Sequence, residues 1–151
     1  MSKLPLPCAI DANVILRYLL GDDRELAAKS AGILQAVERR EIAVVCDPVT
    51  LAEVVWVLSS YYKLPNPEIS EGLGPLLRAD GFTVACKDRY IRALQLLAGN
   101  VKHFGDACAC AAAFEECEGR LYSFDQKLSS VPGIHRTEEI RGVETEGTAE
   151  G

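Results

Sequence analysis

The chain has 151 residues, of which 48% are hydrophobic and 25% charged, a composition typical of one globular domain with a substantial core. Its formal net charge of −6 argues against a protein that binds nucleic acid through a broad basic surface. The sequence contains neither the run of about 18 apolar residues that a membrane span needs nor a recognisable signal peptide, so we expect a cytoplasmic protein without a membrane segment.

The first half of the chain alternates short apolar runs with amphipathic segments. Uninterrupted apolar residues at 7–10 and 42–46 predict buried parallel strands. Apolar residues at helical spacing predict helices over 13–20, 24–39, 48–62 and 67–79. Gly21 is expected to end the first helix, Asp22 or Asp23 to cap the second, and Asp47, before Pro48, to cap the third. The second helix is expected to bury one face, made of Leu26, Ile33, Leu34 and Val37.

The second half continues this alternation. Strands are predicted over 82–85, 121–124 and 133–136, and helices over 87–98 and 106–118. The whole pattern indicates an α/β fold, which we predict as a three-layer α/β/α sandwich with a central, mostly parallel sheet of four to five strands. Residues 1–141 are predicted to form one domain, and residues 142–151, rich in Gly, Glu and Thr, a disordered acidic tail.

Six cysteines lie in apolar or alanine-rich segments: Cys8, Cys46, Cys86, Cys108, Cys110 and Cys117. In a cytosolic protein they are expected to be buried, reduced thiols rather than disulfides. A structural zinc site is the alternative. The chain has no two cysteines separated by two residues, however, and Cys108 and Cys110 would point about 200° apart on a helix.

Four carboxylates interrupt apolar surroundings at related places in the predicted fold. Asp11 and Asp125 follow the first and fourth strands, Asp106 lies at the start of a helix, and Glu53 lies within the helix after the second strand. In open α/β sheets, ligands bind beyond the carboxyl ends of the strands. We therefore expect at least three of these acids at one end of the sheet, and all four in one site.

Clustered carboxylates repel one another, so four of them need a counter-ion to remain ionised at neutral pH. Oxygen ligands without a converging set of His or Cys favour Mg²⁺ or Mn²⁺ over zinc. Such a cation can orient a phosphate, lower the pKa of a bound water and neutralise charge on a phosphodiester under attack. The four acids therefore predict a Mg²⁺ or Mn²⁺ site suited to phosphate chemistry.

Each acid also has a simpler structural interpretation. Asp11 and Asp106 occur where Asp commonly caps a helix, and Asp125 occurs where Asp commonly forms a turn. Glu53 is harder to explain in this way, because its apolar neighbours do not offer the open helix face that a solvated carboxylate needs. Structural roles for all four acids are much less expected than a structural role for any one.

Four segments resemble the acidic motifs of PIN-domain nucleases, in particular those of the VapC-type toxins of bacterial toxin–antitoxin pairs. They are Asp11-Ala12-Asn13-Val14-Ile15-Leu16-Arg17-Tyr18-Leu19, Leu51-Ala52-Glu53-Val54-Val55-Trp56-Val57-Leu58, Phe104-Gly105-Asp106-Ala107 and Ser123-Phe124-Asp125. Together they extend the resemblance over roughly residues 7–136. Ala12 departs from the Ser or Thr that is more frequent in the family, which removes a possible hydrogen bond but no ligand.

The resemblance implies a Mg²⁺- or Mn²⁺-dependent endoribonuclease, usually a homodimer, that is neutralised by a small cognate antitoxin covering the active site. It assigns the acidic cluster to Asp11, Glu53, Asp106 and Asp125. Asp11, Asp106 and Asp125 would ligate metal directly or through water, and Glu53 would ligate metal or orient the attacking water. We expect the homodimer interface on an exposed apolar helix face between residues 67 and 98.

Other polar residues near the motifs are candidates for supporting roles. Asn13 and Ser123 match polar positions of the family that accompany the acids. Arg17 would bind a substrate phosphate or, equally, form a salt bridge on the helix surface. A local basic cluster would touch RNA or, as we favour, form a solvated helix face; it consists of Lys87, Arg89 and Arg92.

Two other classes of protein compete with the nuclease. A catalytically silent PIN-like module would bind RNA or a partner without cutting, but intact acids at all four positions argue against it. A phosphoryl-transfer enzyme or phosphoacceptor domain would be phosphorylated on Asp11. The usual haloacid-dehalogenase pattern needs a second Asp where this chain has Asn13, so the nuclease is the predicted function.

Overall fold

Five short strands alternate with six α-helices in the computed structural model, which describes residues 6–140. The strands are β1 (Cys8–Ala9), β2 (Val44–Val45), β3 (Phe82–Thr83), β4 (Arg120–Tyr122) and β5 (His135–Thr137). The helices are α1 (Ala12–Leu20), α2 (Arg24–Glu38), α3 (Pro48–Trp56), α4 (Asn66–Arg78), α5 (Lys87–Ala98) and α6 (Phe104–Glu116). A π-helical segment (Val57–Tyr61) continues α3, and a 3-10 helix (Gln126–Ser130) connects β4 to β5. Every predicted element is present, although the strands are shorter than expected.

All strand pairs are parallel. β2 lies between β1 and β3, and β4 pairs with β5. The predicted α/β fold class is confirmed. We expected one central sheet that joins all the strands. Within residues 6–140, no ladder of hydrogen bonds joins β1 to β4, so the strands form two hydrogen-bonded groups. Strands of two or three residues have few backbone groups with which to form such a ladder.

Three helix ends are formed by the residues that the sequence predicts. Gly21 adopts a left-handed conformation, with φ of 64°, and ends α1. Asp23 caps α2 by accepting a hydrogen bond of 3.0 Å from the N–H of Leu26. Asp47 caps α3 in the same way, accepting a hydrogen bond of 2.8 Å from the N–H of Val49. These short side chains satisfy N–H groups that have no partner within the helix.

The larger core lies among α1–α5 and the first three strands. Its fully buried side chains include Ile15, Leu34, Leu51, Ile69, Leu73 and Phe82. On α2, the prediction is right for Leu34 and Val37 and wrong for Leu26 and Ile33, which are 39% and 37% exposed. α2 packs mainly against α1, so only a narrow stripe of its surface is covered.

A second core lies between α5, α6 and the C-terminal strands. The small side chains of α6, such as Ala107 and Ala111, are fully buried and allow close contact with α5. Phe104 packs against both cores at the start of α6. The helix begins there, rather than at residue 106 as predicted, because His103 is the extended residue that precedes it. The contacts of Phe104 fix the helix turn that carries Asp106.

The remaining sequence predictions concern the tail, the membrane and the cysteines. The predicted tail, 142–151, lies outside the described residues. No helix in the described part of the chain is long and apolar enough to cross a membrane. All six cysteines are free, as expected, but only Cys46 and Cys110 are buried. Burial was wrongly predicted for the others: Cys108 is half-buried and three are exposed, because β1, the turn before α5 and the end of α6 lie at the surface.

Candidate active site

Asp11 follows β1 and precedes α1, as the sequence predicts. Its backbone is extended, with φ of −92° and ψ of 153°, in the conformation of a helix cap. The carboxylate is exposed and makes no capping hydrogen bond, while the backbone carbonyl of Asp11 accepts from the N–H of Val14. The simple capping role therefore does not account for the Asp11 side chain.

Asp125 follows β4 and begins the 3-10 helix. Its Oδ1 accepts a hydrogen bond of 3.0 Å from the N–H of Lys127, and its own N–H donates to the Oγ of Ser123 at 3.0 Å. Ser123, a predicted supporting residue, thus holds the backbone of the acid two positions later. The turn role of Asp125 is real, but it uses only one carboxylate oxygen and leaves the other for a ligand.

Asp106 lies in the first turn of α6 and is half-buried. Asp106 and Asp125 line the same cavity, of about 130 Å³, although they come from different elements of the chain. Lys102, His103 and Lys127 also line this cavity. The fold therefore brings two of the four predicted acids together, and surrounds them with basic side chains that the sequence interpretation did not select.

Glu53 lies on the exposed side of α3. The expectation that its neighbours leave no open face is wrong, because Val49 and Trp56 on the same helix are 75% and 65% exposed. Within residues 6–140, the Glu53 carboxylate has neither a hydrogen bond nor an ion pair. The Glu53 carboxylate is therefore exposed to solvent, although its neighbours in the sequence are apolar.

The four acids do not form a closed cluster in the described part of the chain. Among residues 6–140, no three His, Cys, Asp or Glu side chains are arranged to hold a metal ion. The donor set itself suits Mg²⁺ or Mn²⁺, because all four side chains offer oxygen and three of them, those of Asp11, Glu53 and Asp106, make no hydrogen bond within the described residues.

Arg17 is occupied by neighbouring side chains rather than free for substrate. Its Nη1 donates to Oδ1 of Asp22 at 2.6 Å, and its Nε donates to Oδ1 of Asn13 at 3.2 Å. The hydroxyl of Tyr62 donates to the other oxygen of Asp22 at 3.2 Å. The hydrogen bond to Arg17 lowers the pKa of Asp22, and the same contact raises the pKa of Arg17. Of the two interpretations of Arg17, the structure displays the helix-surface salt bridge, with Asn13 as a member of its network.

The basic cluster on α5 also packs within the protein. The Nζ of Lys87 donates to the carbonyl of Ala79 at 2.9 Å. Arg89, only 19% exposed, pairs with two carboxylates of α6, and Arg92 stacks over the ring of Phe114 at 4.2 Å. The favoured interpretation as a solvated helix face is wrong for Lys87 and Arg89, which are half-buried and join α5 to α4 and α6, whereas Arg92 remains exposed.

An apolar groove of about 740 Å³ lies beside the acidic cavity, between α3, α5 and α6. Val49, Ala52 and Trp56 line one wall at the spacing of one helix face. Lys102 and His103 line both this groove and the cavity of Asp106 and Asp125. Among residues 6–140, no large hydrophobic side chain between 67 and 98 is strongly exposed, so the apolar interface expected there is not supported.

Two thiols near the site have raised pKa values. Burial, reinforced by the negative charge of Asp106, raises the pKa of Cys110, one turn further along α6. Burial likewise raises the pKa of Cys108, which lines the groove, to about 11. Within residues 6–140 neither thiol is part of a metal-ligating group, so the zinc alternative finds no support there.

A family comparison identifies the architecture. The family model of the PIN domain matches residues 8–134, which include all four acids and every strand except β5. The chain belongs to the PIN domain family. No curated protein and no solved structure matches the sequence significantly.

The PIN domain is generally a nuclease fold. Membership therefore supports a hydrolase of nucleic acid and agrees with the expectation drawn from the four motifs. Lys102, His103 and Lys127 were missed because the sequence interpretation followed the acids alone. Their signal is adjacency: Lys102 and His103 directly precede Phe104-Gly105-Asp106, and Lys127 follows Asp125 by two residues.

Proposed function

We propose that this PIN domain is a Mg²⁺- or Mn²⁺-dependent endoribonuclease that hydrolyses RNA phosphodiester bonds. The observation that carries the proposal is the shared cavity of Asp106 and Asp125 in a PIN fold. Two carboxylates from separate motifs repel one another when they line one cavity, and a bound cation would relieve that repulsion. The available carboxylates of Asp11 and Glu53 would complete the site.

The four acids would have different roles in the reaction. Asp11, Asp106 and Asp125 would hold the cation, directly or through water, and Glu53 would ligate it or orient the attacking water. Bound Mg²⁺ or Mn²⁺ would supply charge neutralisation at the phosphate and a water of lowered pKa. Asp125 is held for this role from both sides, by Ser123 at its N–H and by Lys127 at Oδ1.

The biological setting we propose is that of a VapC-type toxin with a small cognate antitoxin. The motif resemblance supports this setting, in which the antitoxin would cover the acidic cavity and prevent access of RNA. A small open reading frame directly upstream would be the simplest supporting observation. Co-expression of its product with this chain would be expected to yield a stable complex without RNA cleavage.

A homodimer is also part of the proposal, with its interface on α3. Val49 and Trp56 expose large apolar surfaces along the groove, and solvent-exposed patches of this kind commonly mark interfaces. A Trp56→Glu variant is expected to elute as a monomer where the wild-type protein elutes as a dimer. Leu26→Glu, on α2, is the control and is expected to remain dimeric.

The activity is tested with purified protein and structured RNA in the presence of Mg²⁺, Mn²⁺ or EDTA. Cleavage is expected with either cation, none with EDTA, and none by Asp11→Asn. Asp23→Asn is the control, because this acid caps α2 and should leave cleavage unchanged. Equal background cleavage by the wild type and Asp11→Asn would contradict the nuclease proposal.

A catalytically silent PIN module is the second candidate. It is favoured by the absence, among residues 6–140, of three side chains already arranged for a metal. Such a module would bind RNA in EDTA and in Mg²⁺ alike, with no cleavage in either. The same RNA assay therefore distinguishes the two functions.

A further inference from the structure

Two lysines face the same cavity as the acids, yet neither is neutralised by them. Lys102 precedes α6 and Lys127 lies on the 3-10 helix, and both line the cavity of Asp106 and Asp125. In the described part of the chain, neither ammonium group forms a salt bridge. Their positive charge is therefore available to an anion that enters the cavity.

The backbone of each lysine is held in place. The Nδ2 of Asn66, at the start of α4, donates a hydrogen bond of 2.8 Å to the carbonyl of Lys102. The N–H of Lys127 donates to the carboxylate of Asp125 at 3.0 Å. Both lysines thus project from fixed points at the mouth of the site, although their long side chains remain exposed.

Because the whole chain is negatively charged, binding of a polyanionic substrate requires available positive groups at the site. With a formal net charge of −6, the protein repels RNA at long range. Two other basic side chains are already engaged, Arg17 by Asp22 and Arg89 by glutamates of α6. Lys102 and Lys127 are the cavity's own lysines, and Lys102 also borders the neighbouring groove.

We infer that Lys102 and Lys127 form a phosphate clamp, which holds the backbone of a single-stranded RNA across the cavity of Asp106 and Asp125. Each ammonium would bind a phosphate oxygen, Lys127 beside the acids and Lys102 toward the groove. Asn66 is a positioning residue, because it acts only through the backbone of Lys102. The clamp rests on the proposed RNA substrate, but its binding role does not depend on cleavage.

The clamp is tested by binding of a fluorescent single-stranded RNA in EDTA, where cleavage cannot interfere, at several salt concentrations. Lys102→Gln and Lys127→Gln are each expected to raise Kd at least about fivefold at low salt. Each should also lower the slope of log K against log salt by about 0.7, the value for one phosphate of a single strand. Lys102→Arg should restore binding, and Lys29→Gln, on α2, should match the wild type.

The outcomes separate the clamp from the nuclease proposal. Unchanged Kd and salt slope in the double variant Lys102→Gln/Lys127→Gln would overturn the clamp, even if the wild type cleaves RNA. Weakened binding in that variant, with no cleavage by the wild type in Mg²⁺, would support the clamp and contradict the nuclease. If RNA binding in EDTA is too weak to measure, a KM raised at least about fivefold in Mg²⁺ supports the clamp, and an unchanged KM or no cleavage overturns it.

Discussion

The carboxylate of Asp125 accepts a hydrogen bond of 3.0 Å from the backbone N–H of Lys127. One side chain of the candidate site therefore also fixes the start of the 3-10 helix that carries a candidate phosphate ligand. The structural and chemical roles of this acid therefore belong to one side chain, the first through Oδ1 and the second through its other oxygen. They can be separated by substitutions that keep the hydrogen-bond acceptor but remove the charge.

Asp125→Asn is expected to abolish RNA cleavage with little loss of stability, because Asn caps as well as Asp. Asp125→Ala should abolish cleavage and also lower the free energy of unfolding by about 1 kcal/mol, since the N–H of Lys127 loses its partner. Urea unfolding and RNA cleavage rates check the two effects. Asp23→Ala is the control: it should lose similar stability from the cap of α2 and still cleave.

Glu53→Gln is expected to change the free energy of unfolding by less than about 0.5 kcal/mol, because the exposed carboxylate has no partner within residues 6–140. If Glu53 ligates a cation, Mn²⁺ should raise the Tm of the wild type more than that of the variant. Differential scanning calorimetry with and without Mn²⁺ measures this. Glu71→Gln, an exposed acid on α4, should keep the full Mn²⁺ effect; equal shifts in all three proteins would argue against a ligand role.

The Arg17–Asp22 pair is expected to make stability depend on pH in the acid range. The hydrogen bond to Arg17 lowers the folded-state pKa of Asp22 below its ordinary value of 3.8. The unfolded chain therefore takes up the proton first, so this contribution is present above about pH 4 and is lost as the pH falls through the folded-state pKa. The free energy of unfolding should fall less between pH 6 and pH 3 in Asp22→Asn than in the wild type or in Glu71→Gln.

Thiol alkylation should divide the cysteines into two groups. Burial raises the pKa of Cys46 and of Cys108 to about 11, and raises that of Cys110 as well. At pH 8 these thiols are therefore protonated and poorly reactive, whereas Cys8, Cys86 and Cys117 are exposed. Mass spectrometry after brief iodoacetamide treatment should find three modifications in the folded protein and six after unfolding. Early modification of Cys46 would contradict the burial of this residue directly after β2.

The order and type of the elements could be predicted because local signals agree with tertiary burial. The bounds of α5 follow directly from its apolar spacing, and Gly21 and Asp47 mark helix ends that the structure confirms. Predictions were wrong where a residue's setting depends on partners distant in the sequence. Ile33 is apolar at helical spacing, yet no element covers that side of α2.

The predictions for the candidate site were likewise right where local sequence signals decide and wrong where distant contacts decide. Motif spacing selected Asp106 and Asp125, and the fold places both in one cavity. The motif spacing could not reveal that Glu53 faces solvent or that Arg17 is held by Asp22, because both depend on which helix faces meet. Lys102 was missed for another reason. A lysine in a loop has no periodicity, so no sequence pattern indicates which cavity it lines.

The rate of RNA cleavage in Mg²⁺ by Asp106→Asn, by Glu53→Gln and by the double variant tests the central claim most directly. If the acids act as one metal site, each single variant should lose at least about 100-fold in rate, and the double variant should be no slower than the slower single variant. Wild-type rates in either single variant, or losses that multiply in the double variant, would contradict a single shared site.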